Sequence, residues 1–304
     1  MASRLRKRCL PTLLLIFFVA ISLHYFSPDA AAREKGIIIG LLPEINVFEQ
    51  RQRFKPLAAY LSKRMGIPVE LTIISRYGNI IERIKEEEID GAFFGSFTGA
   101  LAINQLGVVP LARPINMDGT STYYGHIFVR RDSGIKTAAD MKGKTLALVE
   151  RATTAGYVFP LAWLKRNGVK DFVTHFSDHL FVGSHDAAIN AVLNGKADVG
   201  AAKNTIYERL QSLYPWLDSK IVIIASSPRV PSTGLCVRET LPEKYTQQLK
   251  NLLLGLHESK EGSSILRKLW AQKFVDTDKK DYQPVLDLAA EAGIDLIKYV
   301  YYNK

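Results

Sequence analysis

Four small residues, two of them with hydroxyl groups, stand between a predicted strand and a predicted helix. The strand-like run KTLALVE ends at Glu150, and Thr153, Thr154, Ala155 and Gly156 precede the helix-forming stretch YVFPLAWLKRNG. Backbone N–H groups at a helix start have no partner inside the helix, and the helix dipole there favours an anion. A plain N-cap needs only one hydroxyl. The stretch is therefore compatible with an anion site or with a simple cap.

Other polar side chains fall at similar junctions. Ser96 follows the strand-like AFFG, Tyr77 follows PVELTIIS, and His185 opens a predicted helix in VGSHDAAI. Tyr123 and Tyr124 lie where a second series of strands and helices begins. Ligands of open α/β sheets gather at the carboxyl ends of strands. Each residue also has a structural alternative, which is capping or surface exposure for the histidine and packing for the tyrosines.

Motifs of known catalytic and nucleotide sites are absent or misplaced. Gly95–Gly99 resembles a nucleophile elbow, but its serine comes one position too early. Gly143-Lys144-Thr145 precedes a strand, whereas the phosphate-binding loop of nucleotide-binding proteins opens a helix. No His, Cys and Asp cluster has zinc spacing. We therefore expect no enzyme activity, no metal and no cofactor, and we expect Cys236 to be a buried apolar residue.

The elements that would position these residues alternate between strand and helix. From Gly36 the pattern runs strand, helix, strand, helix, strand, and a similar rhythm restarts near residue 121. Such alternation predicts an α/β protein with largely parallel sheets covered by helices. We expect one lobe over residues 33–120 plus 231–304, a second over 121–230, and a mostly helical C-terminal tail. The two crossings between the lobes predict a hinge and a cleft, a favoured place for ligands.

The first 32 residues differ from the rest of the chain. Arg4 to Arg8 carry positive charges, Leu13 to Leu23 are apolar apart from one serine, and Ala30 to Ala32 offer small residues for cleavage. This order predicts a signal peptide over residues 1–32 and export to the periplasm, and an uncleaved membrane tether is the alternative. The net charge of +10 suits anionic partners. Nucleic acid is not expected, because no aromatic and basic pattern accompanies that charge.

Several stretches in order resemble one family, the substrate-binding proteins of phosphate, phosphite and phosphonate ABC transporters. They include FKPLAAYLSKRMGIPVEL, RYGNIIERI, IDGAFFGSF, YYGHIFVRRDSGI, TTAGYVFP, GSHDAAINAVLNGKADVG and SSPRVPSTGLCVRETLP, and they cover about residues 36–294. The resemblance implies a two-lobed type II periplasmic-binding-protein fold, the Venus flytrap, that closes around an oxyanion. It also implies a small oxyanion ligand and an ABC permease as partners. A receptor that signals to a membrane sensor kinase is the alternative, and we expect a monomer.

The resemblance also implies roles for particular residues. The run Thr153-Thr154-Ala155 matches the family's Ser-Thr-Ser-like anion-binding run, and His185 matches the histidine of its G-x-H-D motif. Tyr77 and Tyr123 match its two tyrosines, with Tyr123 preferred over its neighbour. The set of expected ligand-binding residues is Tyr77, Ser96, Tyr123, Thr153, Thr154, Ala155, His185 and Lys203.

Two of these positions depart from the family pattern. Ala155 replaces a hydroxyl residue, so one side-chain donor is lost while the backbone N–H remains. Lys203 stands in AAKNTIYERL, where many members carry an acid that we interpret as the partner of a ligand's amine or protonated oxygen. A lysine there predicts preference for a fully ionised anion over an aminophosphonate.

Overall fold

The computed structural model describes residues 36–301, so the expected signal peptide lies outside the described part of the chain. Two main β-sheets with surrounding helices make up the described residues, as expected for an α/β protein. Within them, no helix combines the length and the apolar character that crossing a membrane requires.

Thirteen strands lie within the described residues. In chain order they are β1 (Ile37–Leu41), β2 (Val69–Ile73), β3 (Gly91–Phe94), β4 (Val109–Asn116), β5 (Thr122–Tyr123), β6 (Gly125–Arg130), β7 (Thr145–Leu148), β8 (Asp178–Phe181), β9 (Val199–Lys203), β10 (Ile221–Ser226), β11 (Val230–Pro231), β12 (Gly234–Val237) and β13 (Ala271–Asp276).

The first sheet has the order β13-β4-β12-β3-β1-β2. Strand β1 pairs in parallel with β2 and β3, but β12 inserts between β3 and β4 and runs antiparallel to both. The prediction of a largely parallel sheet is therefore wrong here. Strand β12 returns from the second half of the chain, and its direction depends on that return path rather than on any local pattern.

The second sheet has the order β10-β6-β9-β7-β8, and it is also mixed. Strands β7, β8 and β9 are parallel, whereas β6 is antiparallel to both β9 and β10. The two segments that pass between the sheets pair with each other, because β5 and β11 form an antiparallel ladder with Tyr123 opposite Val230. The two predicted crossings thus lie side by side and are hydrogen-bonded to each other.

Eleven α-helices lie within the described residues. They are α1 (Val47–Met65), α2 (Asn79–Lys85), α3 (Ser96–Leu106), α4 (Phe159–Arg166), α5 (Phe172–His175), α6 (His185–Leu193), α7 (Asn204–Leu213), α8 (Leu217–Lys220), α9 (Glu243–Leu254), α10 (Lys260–Leu269) and α11 (Gln283–Ala292). A π-helical turn, Thr154–Val158, leads directly into α4.

Local signals explain where α1 begins and ends. The side chain of Asn46 accepts hydrogen bonds from the N–H groups of Phe48 and Glu49, which satisfies two of the free donors at the helix start. Gly66 ends the helix in the left-handed conformation, with φ of 73°. Residues next to the helix in the chain thus set both of its ends.

The C-terminal tail is less helical than predicted. Strand β13 follows α10 and pairs with β4 at the edge of the first sheet. Trp270 turns the chain between them in the left-handed conformation, with φ of 57°. The prediction missed this strand because an edge strand with only one neighbour needs few apolar residues. Helix α11 packs on α4 and shares its core through Val285 and Leu288, and the lobe boundaries remain predictions.

Candidate functional site

The stretch after β7 forms a helix start with free donors. The hydroxyl of Thr153 donates to the carbonyl of Glu150 at 2.6 Å, and the N–H of Val158 donates to the carbonyl of Thr153 at 3.0 Å. The first turn is therefore a wide π-helical turn, and the N–H groups at its start, including those of Thr154 and Ala155, have no partner inside the helix. This geometry suits an anion.

Small side chains let this helix start lie against the second sheet. A Cβ placed on Gly125 of β6 would lie 2.9 Å from the Cα of Ala155, and one on Gly156 would overlap the side chain of Val149. Ala155 is 1% exposed. Because Ala155 lies close to β6, its small side chain has a role in packing. This role is separate from the loss of a hydroxyl donor at this position.

Three hydroxyl groups from three elements meet beside the helix start. The Ser96 Oγ lies 2.6 Å from both the Tyr123 Oη and the Thr154 Oγ1, and all three residues are buried. Burial raises the pKa of Tyr123 to about 12, so its hydroxyl keeps its proton. Two contacts use two of the three hydroxyl protons, which leaves one O–H to donate to a bound group.

His185 presents one ring nitrogen as a donor. Its Nδ1 accepts the N–H of Lys203 at 3.2 Å, so the ring proton of the neutral form belongs on Nε2. Burial lowers the pKa of His185 to about 4, although the negative charge of Glu44 acts in the opposite direction. The imidazole is therefore neutral at pH 7, and it can donate a hydrogen bond from Nε2 without adding charge.

Tyr77 has a buried hydroxyl without a protein partner. The side chain is 2% exposed, and its Oη makes no hydrogen bond within the described residues. Its ring stands edge-on to the ring of His185, with centroids 6.4 Å apart. Burial raises the pKa of Tyr77 well above its ordinary value, and Glu44 acts in the same direction. Buried polar groups are rarely left unpaired, so a ligand oxygen is a natural acceptor for this hydroxyl.

An ion pair that sequence reasoning missed lies next to these donors. The Lys203 Nζ is 3.0 Å from the Glu44 Oε1 and 2.9 Å from the Thr233 Oγ1, and it lies 4.5 Å from the centre of the Tyr123 ring. Glu44 follows β1, and Thr233 follows β11. The rule that ligands gather at the carboxyl ends of strands could have singled out Glu44, as it did Ser96. No local signal marked Thr233.

The structure thus brings most of the predicted residues together. The ring of Tyr77 contacts His185, and the backbone N–H of Lys203 donates to that histidine. The Lys203 ammonium lies over the ring of Tyr123. The Ser96 hydroxyl makes hydrogen bonds to the hydroxyls of Tyr123 and Thr154. Thr153 points its hydroxyl at Glu150 and supplies only backbone to the helix start. Tyr124 instead stacks with Arg229, 5.1 Å from its ring centre. Within the described residues, no group of three or more His, Cys, Asp and Glu side chains could hold a metal ion.

Cys236 is buried, as expected, and it lies in β12 of the first sheet. Its thiol is 3.6 Å from the Tyr282 hydroxyl, and burial raises its pKa to about 12. The thiol is therefore protonated and unreactive at neutral pH.

Comparison with known proteins gives a consistent set of relatives. The chain is 28% identical to the phosphate-import protein PhnD of Mycolicibacterium smegmatis over 191 residues. That aligned stretch covers 60% of this chain and 60% of the relative. The matched stretch therefore spans less than two thirds of the length of that relative. The phosphonates-binding periplasmic protein of Escherichia coli is 20% identical over 265 residues, 86% of this chain and 78% of that protein.

Solved structures show the same fold. A binding-protein component of a phosphonate ABC transporter from Pseudomonas aeruginosa has a TM-score of 0.79 at 23% identity, covering 85% of this chain and 86% of that one. PhnD1 from Prochlorococcus marinus, solved with methylphosphonate, has a TM-score of 0.77 at 21% identity, covering 85% and 98%. The fold is that of the type II periplasmic binding proteins.

A family model carries this further than the individual relatives do. The model of the periplasmic substrate-binding proteins of phosphonate ABC transporters matches residues 39–282, which includes every residue of the site described above. The chain belongs to the family of periplasmic substrate-binding proteins of phosphonate ABC transporters.

Proposed function

We propose that the protein captures a phosphate, phosphite or phosphonate ion outside the cytoplasm and delivers it to an ABC permease. The residues named above bind the anion, and no chemical step follows. Residues 1–32 direct export. The names of the relatives support this class of ligand, since one is a phosphate-import protein and another a phosphonates-binding protein.

The observation that carries the proposal is a connected group of buried, mostly uncharged donors. The Tyr77 hydroxyl has no protein acceptor, the Nε2 proton of His185 is available, and the start of the helix at Thr154 adds free N–H groups. A hydrogen bond to a charged group contributes about 1.5–3 kcal/mol. Several such bonds in a site shielded from water suffice for tight capture of a small oxyanion.

The donors come from both sheets, so binding is coupled to closure. Ser96 follows a strand of the first sheet, whereas Thr154 follows a strand of the second. An anion held by both favours the arrangement in which the two halves are together, because only that arrangement offers all of its donors. The paired segments β5 and β11 suit the hinge of such a motion.

Calorimetry with a panel of anions tests this function. We expect the mature protein to bind at least one of phosphate, phosphite and methylphosphonate, and the variants His185→Ala and Thr154→Val to bind it about tenfold more weakly or worse. His175→Ala is the matched control, since its Nε2 donates to the Ala138 carbonyl at 2.9 Å, away from the site. Unchanged affinity in both site variants would show that the anion binds elsewhere.

Transport in reconstituted vesicles tests the partner. The protein, saturated with its anion, should stimulate uptake by a phosphonate-type ABC permease in proportion to its concentration. Stimulation of a membrane sensor kinase without any effect on uptake would assign the protein to signalling instead.

A further inference from the structure

Glu44 lies at the junction of the two halves of the site. Its backbone carbonyl accepts the N–H of His185 at 3.2 Å, and its Oε1 accepts hydrogen bonds from Lys203 at 3.0 Å and Thr233 at 2.7 Å. Its side chain is only 21% exposed. Glu44 is thus an acid within a site that otherwise presents donors, and simple anion binding does not require it.

The hydrogen bonds of this carboxylate leave one oxygen available. Within the described residues, both bonds fall on Oε1, while an ionised carboxylate offers about four acceptor positions on its two oxygens. Oε2 therefore keeps the capacity to accept a proton donor from a ligand. An oxyanion that still carries one hydroxyl, such as a monoprotonated phosphate or phosphonate, has such a donor, and sulfate at neutral pH does not.

Charge leads to the same selection. Glu44 compensates the ammonium of Lys203, and the guanidinium of Arg53, which lines the same cavity, donates to the carbonyls of Lys268 and Leu269. A fully ionised dianion would face the carboxylate with no proton between them, which is unfavourable at low local dielectric. This balance revises the expectation that Lys203 favours a fully ionised anion.

We infer that Glu44 determines the specificity of the site, and that it selects oxyanions that carry an acidic proton over those that are fully ionised. The inference rests on the proposed function, because it concerns the same anion site. It places the discriminating acid on the loop after β1, opposite Lys203.

The ionisable groups around Glu44 keep a fixed protonation state near neutral pH, so the group that gains or loses a proton there is the ligand. Burial alone would raise the pKa of Glu44, but Lys203, His185 and the Thr233 hydroxyl together hold it below its ordinary value. The ionisable groups that face it from the neighbouring elements are Lys203, His185, Arg53, Tyr77 and Tyr123. His185 is neutral above about pH 4, and the tyrosines keep their protons at neutral pH. Near neutral pH, then, the proton that changes hands belongs to the ligand.

Calorimetry against pH tests the inference, with inorganic phosphate and methylphosphonate as probes. For the unaltered protein, affinity for methylphosphonate should fall about tenfold for each pH unit above its second pKa, where it loses its last proton, after correction for buffer ionisation. Phosphate keeps one hydroxyl above its second pKa and should retain its affinity there. Sulfate should bind at least about one hundredfold more weakly than phosphate. Methylphosphonate affinity that does not change across its second pKa, or sulfate that binds as well as phosphate, would overturn the inference.

The variant Glu44→Gln separates the acid from other causes. It should lose the decline of methylphosphonate affinity with pH and gain affinity for sulfate, because Lys203 then stands uncompensated. Glu208→Gln is the matched control, since Glu208 lines the same cavity of about 90 Å³ but accepts from the Asn204 side chain. Binding of methylphosphonate without pH dependence would refute only the role of Glu44, whereas absence of binding by every probe would refute the proposed function as well.

Discussion

Replacement of Tyr77 by phenylalanine should change stability and ligand affinity in opposite directions. The hydroxyl is buried and has no acceptor among the described residues. A buried polar group without a partner costs about 1–3 kcal/mol, so removal of this oxygen relieves a penalty instead of breaking a bond. The ligand-free Tyr77→Phe protein should therefore be as stable as the unaltered protein or more stable by up to about 1 kcal/mol.

Affinity should fall by an amount set by one charge-assisted hydrogen bond. If the Tyr77 hydroxyl donates to the bound oxyanion, its loss costs about 1.5–3 kcal/mol of binding free energy. That corresponds to roughly ten- to one-hundredfold weaker binding. The ring itself remains in its edge-on contact with His185, so the shape of the site is kept.

Chemical denaturation without ligand and calorimetry with phosphate or methylphosphonate measure the two effects. Tyr207→Phe provides the matched control, because the Tyr207 hydroxyl donates to the Asp218 carboxylate at 3.0 Å. That variant should lose about 1 kcal/mol of stability and keep its affinity. A Tyr77→Phe protein that is clearly less stable and binds normally would show that the hydroxyl has a structural partner and no ligand contact.

Two further predictions concern pH and the C-terminal segment. Burial lowers the pKa of His185 to about 4, so the folded state binds fewer protons than the unfolded chain, and stability should be full above the ordinary value of 6.5 and fall towards pH 4. The loss approaches roughly 3 kcal/mol, and denaturation of His185→Gln should show a shallower decline. The Tyr301 hydroxyl donates to Glu150 and its ring covers Gly78, next to Tyr77, so Tyr301→Ala should weaken anion binding in calorimetry, whereas unchanged affinity would show that this contact does not support the site.

Much of the fold could be predicted because the signals for it are local. The period of apolar residues predicts β1 and α1, and the cap at Asn46 with the glycine at Gly66 sets the helix ends. Pairing of strands is not local. The position of β12 between β3 and β4 depends on the return of the chain from the second sheet, and β13 forms only because β4 offers a free edge.

The site divides in the same way. The sequence alone determined that small and hydroxyl-bearing residues open a helix at Thr154 and that Ser96 and His185 stand at loop-to-helix junctions, because junctions follow from neighbouring residues. Only the tertiary structure left the Tyr77 hydroxyl without an acceptor and paired Lys203 with Glu44, which lies 159 positions away in the chain. Burial and charge balance are properties of packed surroundings, and residues distant in sequence supply those surroundings.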